Sequence, residues 1–111
     1  MAPTTYEEFW PYYVAQHRDP TCRALHAVGD TLAAGCIAAG VLASPGWLFV
    51  APVVGFGFAW VGHLVYERNL PAFLGAPWWS FRAGLRMYRL MLLGRMEPEV
   101  RRVSAFPAAH A

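Results

Sequence analysis

Lysine is absent from this 111-residue sequence, and charged residues of either sign are scarce. Asp, Glu and Arg together make up 14% of the chain, whereas soluble domains carry about 25% charged residues. From Ala24 to Tyr66 the only charged side chain is Asp30. This distribution excludes an ordinary soluble domain and predicts that the middle of the chain is embedded in a membrane. The net charge of +2 is also too small and too dispersed for nucleic-acid binding.

Cysteine is nearly absent as well, with Cys22 and Cys36 as its two occurrences. In one continuous helix these residues would lie about 21 Å apart, well beyond the roughly 7 Å between Cα atoms that a disulfide tolerates. No disulfide between them is expected, and the cysteines therefore indicate no oxidising compartment.

Two long apolar segments are present, at residues 22–43 and 47–68. Each has about 20 residues, enough to cross a hydrocarbon core of ~30 Å. Because only Ser44-Pro45-Gly46 connects them, they must form an antiparallel transmembrane hairpin. Small residues at helical spacing predict a closely packed seam between the two helices. They are Gly29, Ala33, Cys36 and Gly40 in the first segment and Gly55, Ala59 and Gly62 in the second.

The segments on either side of the hairpin predict two interfacial helices. Residues 5–17 combine a capping box at Thr4 or Thr5 with closely spaced aromatic residues, interrupted by Pro11, as expected of a helix at headgroup level. Residues 77–96 place arginines on one face, where they would meet lipid phosphates, and apolar residues on another. Residues 97–111 are predicted to be a flexible tail. The predicted fold is an all-α, single membrane domain in which these two amphipathic helices flank the hairpin.

The distribution of arginine predicts the orientation of this hairpin. The connector contains no arginine, whereas arginines precede and follow the two spans. By the positive-inside rule both termini should be cytoplasmic, in a bacterial inner membrane or the endoplasmic reticulum. Formation of a homo-oligomer is one way for so short a hairpin to enclose a site.

Three histidines and a glutamate are the candidate functional residues. His26 and His63 should lie about 27 Å from the bend on their respective helices, and so level with each other across the seam. Glu67 follows His63 by four residues and projects from the same face. His17, just before the turn at Asp19, can fold back over the same end of the hairpin.

Several chemistries suit these residues. Two or three imidazoles with a carboxylate suit iron(II), and ionisable groups inside a span are costly and usually functional. A thiolate from Cys22 would favour zinc, Asp30 could fix the tautomer of the His26 imidazole, and His26 with His63 could ligate haem. Without any metal, each histidine could bond a carbonyl or a headgroup, and the protein could be a membrane scaffold or lipid-binding protein.

The sequence around these residues resembles the fungal endoplasmic-reticulum 2-hydroxy-fatty-acid dioxygenases, which serve the conversion of phytosphingosine to odd-chain fatty acids, and their short bacterial relatives. The resemblance covers most of residues 6–96. The matching motifs are Phe9-Trp10-Pro11-Tyr12-Tyr13, His17-Arg18-Asp19-Pro20 with His26 downstream, and Gly62-His63 through Glu67 to Pro71-Ala72.

This resemblance implies an iron(II)-dependent membrane enzyme that uses dioxygen to shorten a 2-hydroxy fatty acid by one carbon. By resemblance His17, His26 and His63 are the candidate iron ligands, and Glu67 is a ligand or a base. An arginine, Arg23 or Arg68, would pair with the substrate carboxylate. The sequence departs from the family in being shorter than the fungal enzymes and in having Asp30 where an uncharged residue is usual.

Overall fold

The computed structural model describes residues 3–105, and within that range all regular structure is helical. The helices are α1 (Tyr6–Ala15), α2 (Pro20–Leu42), α3 (Trp47–Val61, continued by a π-helical turn at Gly62–Glu67), α4 (Pro77–Leu92) and α5 (Met96–Ser104), with a short 3-10 turn at Ala72–Leu74. These elements form two compact units. Residues 19–68 are called the hairpin unit, and residues 3–18 with 69–105 the terminal unit.

The hairpin unit contains the two long apolar helices that the sequence predicts. Helices Pro20–Leu42 and Trp47–Glu67 are both long and apolar enough to cross a membrane. Most of their large apolar side chains point outward, as Leu42 and Phe49 do with more than four-fifths of their surface exposed. An outward apolar surface on two such helices suits lipid rather than water.

Small residues bring α2 and α3 into close contact, as the sequence predicted. A Cβ atom added at Gly29 would lie 2.7 Å from Cβ of Phe58, and one added at Gly62 would lie 2.9 Å from Sγ of Cys22. Both distances are below the contact that real Cβ atoms tolerate, so a larger residue would separate the helices. This is how small residues allow helices to associate in lipid, where burial of apolar surface offers no gain.

The N-terminus of α2 is capped by the residues that the sequence places there. The side chain of Asp19 accepts the backbone N–H groups of Thr21 and Cys22 at 2.8 and 3.3 Å. Pro20 occupies the first turn, where its missing N–H would have had no helical partner in any case. The cap therefore fixes where the first span begins.

The terminal unit differs from the sequence prediction for α1. Thr5 caps the helix, accepting the N–H of Glu8 at 3.2 Å, but the helix runs through Pro11 without interruption. The aromatic side chains expected at headgroup level are buried in a protein core. This core contains Phe9, Trp10, Tyr13, Val14, Ala72, Ala83, Met87, Met96 and Val103. A partner surface from α4 and α5, which the sequence pattern does not reveal, covers the aromatic face of α1.

The arginine face of α4 is also placed differently from the prediction. The guanidinium of Arg82 lies over the ring of Tyr6 at 3.9 Å, and that of Arg86 lies over the ring of Trp10 at 4.1 Å. Cations at this distance from an aromatic face are attracted by the ring quadrupole. Two of the arginines expected to meet lipid phosphates therefore pack against α1.

The segment expected to be a flexible tail from residue 97 begins instead as helix α5. Met96 and Val103 are buried on one side of it. Glu99 accepts the Nε1–H of Trp10 at 2.6 Å and is paired with Arg102, also at 2.6 Å. The Arg102 guanidinium, assisted by Trp10, lowers the pKa of Glu99 to about 2. Residues 106–111 of the predicted tail lie outside the described residues.

Candidate metal centre

His26 and His63 face each other across the seam of the hairpin unit. Their ring centroids lie 5.0 Å apart with the ring planes at 86°, and the side chains are 9% and 1% exposed. The prediction that these residues lie level on α2 and α3 is confirmed. Two imidazoles meeting edge to face in a buried site bring two nitrogen donors close to one point.

The tautomer of His26 is fixed by its own helix. Nδ1 lies 2.8 Å from the carbonyl oxygen of Cys22, one turn earlier in α2. Because a carbonyl can only accept, Nδ1 must carry the hydrogen and donate it. The lone pair of the ring is then on Nε2, which is the form of imidazole that ligates a metal.

His17 is oriented in the same way in the terminal unit, where it follows the C-terminus of α1. Its Nδ1 lies 2.6 Å from the carbonyl oxygen of Tyr13, and its ring stacks on the Tyr13 ring with centroids 4.0 Å apart. The side chain is 1% exposed. Donation from Nδ1 again leaves the lone pair on Nε2.

The three buried histidines, His17, His26 and His63, could hold a metal ion. The donor set fits a divalent transition metal, since metal-bound histidine almost always donates its other ring N–H to a carbonyl or carboxylate. Three histidines also leave coordination positions for other ligands. Imidazole suits iron, zinc, copper and nickel, so the donors alone do not select the metal.

Glu67, expected as a ligand or a base, has a backbone partner in the hairpin unit. Its Oε2 accepts the N–H of Asp19 at 2.7 Å. Within residues 3–105, the group that could hold a metal contains the three histidines without Glu67. Glu67 ends the π-helical turn that begins at Gly62, and such turns frequently occur at functional sites.

The remaining predicted site residues lie in different surroundings. Arg23 is buried, and its charge acts on Glu67. Arg68 is exposed and adopts a left-handed backbone conformation with φ of 57°. Asp30 is half-buried on α2, but the role of fixing the His26 tautomer, which the sequence suggested for it, is filled by the Cys22 carbonyl. The same contact to a carbonyl four residues earlier orients His17.

Two features of the site were missed by sequence reasoning. One is the stacking of Tyr13 on His17, for which the spacing of four residues in a helix was an available signal. The other is the bond from the Asp19 backbone to Glu67, which spans 48 residues. No local sequence pattern predicts a contact between a backbone group and a side chain that are so far apart in the sequence.

Comparison with known proteins gives one family. The family model described as 2-hydroxy-palmitic acid dioxygenase Mpo1-like matches residues 3–96. No curated protein and no solved structure matches the chain. The matched range includes every histidine of the candidate metal centre.

Proposed function

Because the chain belongs to the Mpo1-like family of 2-hydroxy-palmitic acid dioxygenases, we propose that it is an iron(II)-dependent membrane enzyme that removes one carbon from 2-hydroxy fatty acids. A 2-hydroxy acid and one dioxygen molecule yield the acid one carbon shorter, carbon dioxide and water. This reaction balances in atoms and electrons, so no oxoacid co-substrate is needed.

The observation that carries the proposal is the set of three buried histidines, two of them with Nδ1 bonded to a backbone carbonyl. Iron(II) held there would supply a Lewis acid and a redox centre for dioxygen. The backbone carbonyls of Tyr13 and Cys22 hold His17 and His26 in the ligating tautomer. Burial of the imidazoles excludes bulk water, which favours both metal retention and a controlled oxidation.

For the substrate carboxylate we propose Arg68 as the partner. Arg23 is buried, whereas Arg68 is exposed directly after the π-helical turn that continues α3. Its left-handed conformation is uncommon for a residue with a side chain, and such outliers concentrate at functional sites. The exposed apolar surface of the hairpin would let the acyl tail remain in lipid while the carboxylate is held at the rim.

The variant Arg68→Gly tests this assignment without disturbing the fold, because glycine adopts the left-handed conformation at no steric cost. Loss of one charged hydrogen-bonding partner should raise KM about tenfold with kcat little changed. Kinetics with 2-hydroxypalmitate, with Arg18→Gly as the control, measures this. An unchanged KM would exclude Arg68 as the carboxylate partner.

A haem protein is a poorer fit to the same histidines. Axial imidazoles stand on opposite faces of the porphyrin, with the macrocycle between them. His26 and His63 instead meet edge to face at 5.0 Å, and the adjacent seam is so tight that a methyl group at Gly62 would meet Cys22. The geometry therefore favours a single metal ion.

We also propose that α4 contacts the membrane surface. An apolar stripe on α4 points away from the core of the terminal unit and contains Trp78, Phe81, Leu85 and Leu92. We infer that this stripe rests on the lipid surface, since large exposed apolar patches mark such contacts. Brominated lipids should then quench a larger share of the tryptophan fluorescence in the wild type than in Trp78→Phe, and equal shares would contradict the contact.

We also propose that both termini are cytoplasmic, because the connector at residues 44–46 has no arginine while both flanks do. A cysteine introduced at Ser44 should react with a membrane-impermeant thiol reagent from the side opposite the cytoplasm. Labelling from the cytoplasmic side alone would reverse the proposed orientation.

The test of the proposed activity is metal content and oxygen consumption of the detergent-purified protein. The wild type should carry iron near one equivalent and consume oxygen with 2-hydroxypalmitate. His26→Ala and His63→Ala should lose both properties, whereas His110→Ala, the change at the remaining histidine, should lose neither. The wild type could instead be iron-free and inactive, with histidine variants that differ from it only in stability. That result would indicate a non-catalytic scaffold or lipid-binding protein.

A further inference from the structure

The carboxylate of Glu67 connects the two open ends of the hairpin. Its Oε2 accepts the backbone N–H of Asp19 at 2.7 Å, and a hydrogen bond to an ionised acceptor is about twice as strong as a neutral one. The connector at residues 44–46 joins α2 and α3 covalently at one end of the hairpin. The bond between Asp19 and Glu67 joins them at the other end.

Asp19 is held from both directions. Its backbone N–H is bound by Glu67, and its own side chain caps α2 by accepting the N–H groups of Thr21 and Cys22. The bond to Glu67 therefore acts on the first turn of α2 as a whole. Cys22, in that turn, provides the carbonyl that orients His26.

The histidines lie within two turns of this bond along the chain. His63 precedes Glu67 by four residues in the π-helical turn, and His26 follows Asp19 by seven. His17 is two residues before Asp19, and the preceding residue, Gln16, is bound through its carbonyl to the Asn69 side chain at 3.2 Å. Within the terminal unit, the chain before His17 is thus tied to Asn69.

We propose that Glu67 is a positioning residue that acts through Asp19 to hold the first turn of α2, and with it His26, level with His63, and that it is neither a metal ligand nor a base. This inference deepens the proposed function and, in its metal-binding consequence, rests on it. The Glu67 carboxylate accepts a backbone N–H through Oε2, and within residues 3–105 the group of side chains that could hold a metal does not include it. What Glu67 must supply is a hydrogen-bond acceptor, and a neutral amide supplies one too.

The matched pair Glu67→Gln and Glu67→Ala separates the two roles. Glutamine retains an acceptor for the Asp19 N–H but cannot act as an anionic ligand or a base, whereas alanine removes the acceptor. Cobalt(II) titration of the full-length protein in detergent, followed by its visible absorption, measures the site. Glu67→Gln should bind within about threefold of wild type, and Glu67→Ala should bind 10- to 100-fold more weakly, roughly the loss seen when the partner of a metal ligand is removed.

A second readout needs no metal. In the metal-free protein the Asp19 amide hydrogen should exchange slowly in the wild type and in Glu67→Gln, and faster in Glu67→Ala. Glu7→Ala, which removes an exposed carboxylate from α1, is the control and should change neither cobalt binding nor this amide.

Three outcomes would overturn the inference. Glu67→Gln could weaken cobalt binding as much as Glu67→Ala does, or Glu67→Ala could bind cobalt as tightly as the wild type. In the third, Glu67→Ala leaves the exchange rate of the Asp19 amide unchanged. A wild type that binds no cobalt would instead contradict the proposed function. In that case the Asp19 amide still decides whether Glu67 fixes the start of α2.

Discussion

The hairpin unit and the terminal unit are stabilised by different interactions. In the hairpin, glycines allow α2 and α3 to touch, and the large side chains point outward. In the terminal unit, the aromatic side chains Phe9, Trp10 and Tyr13 of α1 are buried, and Arg86 and Glu99 contact Trp10. The first arrangement suits lipid, where close packing is the main source of stability, and the second suits an aqueous boundary, where apolar burial and charge both contribute.

Each unit holds its own candidate ligands by its own kind of packing. In the hairpin unit the seam lined by glycines brings His26 and His63 face to face, and in the terminal unit the ring of Tyr13 stacks on His17. Such packing matters because the donor atoms of a metal site must be held closely in position.

The largest effect expected is from a methyl group added at the seam. Gly62→Ala would place Cβ 2.9 Å from Sγ and 3.2 Å from Cα of Cys22. Separation of the helices beside His63 should destabilise the hairpin by about 1–3 kcal/mol and weaken metal binding. Unfolding in mixed detergent micelles and cobalt titration measure the two effects.

The matched control is Gly57→Ala in the same helix, where an added Cβ meets nothing within 4 Å. It should change stability by less than about 1 kcal/mol. Equal effects of the two substitutions would mean that the seam is not tightly packed and would remove the contrast between the units.

A smaller effect is expected at Glu99 in the terminal unit, and it should depend on pH. Arg102 lowers the pKa of Glu99 from 4.5 to about 2, so the stabilisation is present above pH 4.5 and is lost as pH falls toward 2. Glu99→Gln should destabilise α5 by about 1 kcal/mol near neutral pH, since solvent screens this partly exposed pair.

Hydrogen exchange of α5 at several pH values and salt concentrations measures this dependence. The difference between wild type and Glu99→Gln should shrink at low pH and at high salt, while the amides of α2 should not respond. A constant difference across pH would show that the ionised pair does not stabilise the terminal unit.

The smallest effect is expected at Ser80, which is buried on α4. Within residues 3–105 its Oγ has no hydrogen-bond partner. An unsatisfied buried hydroxyl costs free energy, so Ser80→Ala should leave stability unchanged or raise it by up to about 1 kcal/mol. Thermal unfolding followed by tryptophan fluorescence measures the change. A clear loss of stability would mean that Ser80 has a polar partner in the folded protein.

Much of the hairpin could be predicted because its constraints are local. The length of each apolar segment, the short connector at residues 44–46 and the spacing of the small residues determine which faces meet, and that register places His26 opposite His63. The terminal unit was harder to predict, because the sequence patterns of α1 and α4 allow their apolar side chains to face either lipid or protein. Their mutual packing depends on contacts such as Arg86 on Trp10, which are distant in sequence.

The residues of the candidate site also differ in how well the sequence predicts their roles. His26 and His63 were identified from their depth on the two helices, and His17 from its position just before the turn at Asp19. The role of Asp30 was misjudged because a helix carbonyl competes with any side chain for a histidine N–H, and the partner of Glu67 could not be predicted because it is a backbone amide. The chemistry of a side chain can be predicted from the sequence. A contact to a backbone group cannot, because nearly every residue carries the same backbone groups.

The most direct test of the account is a count of imidazole ligands on the metal by X-ray absorption spectroscopy of the iron(II)-loaded protein. The account predicts three imidazoles on one iron in the wild type and two in His17→Ala, with His110→Ala like the wild type. Iron without imidazole ligands, or a wild type whose count is unaffected by the change at residue 17, would contradict it.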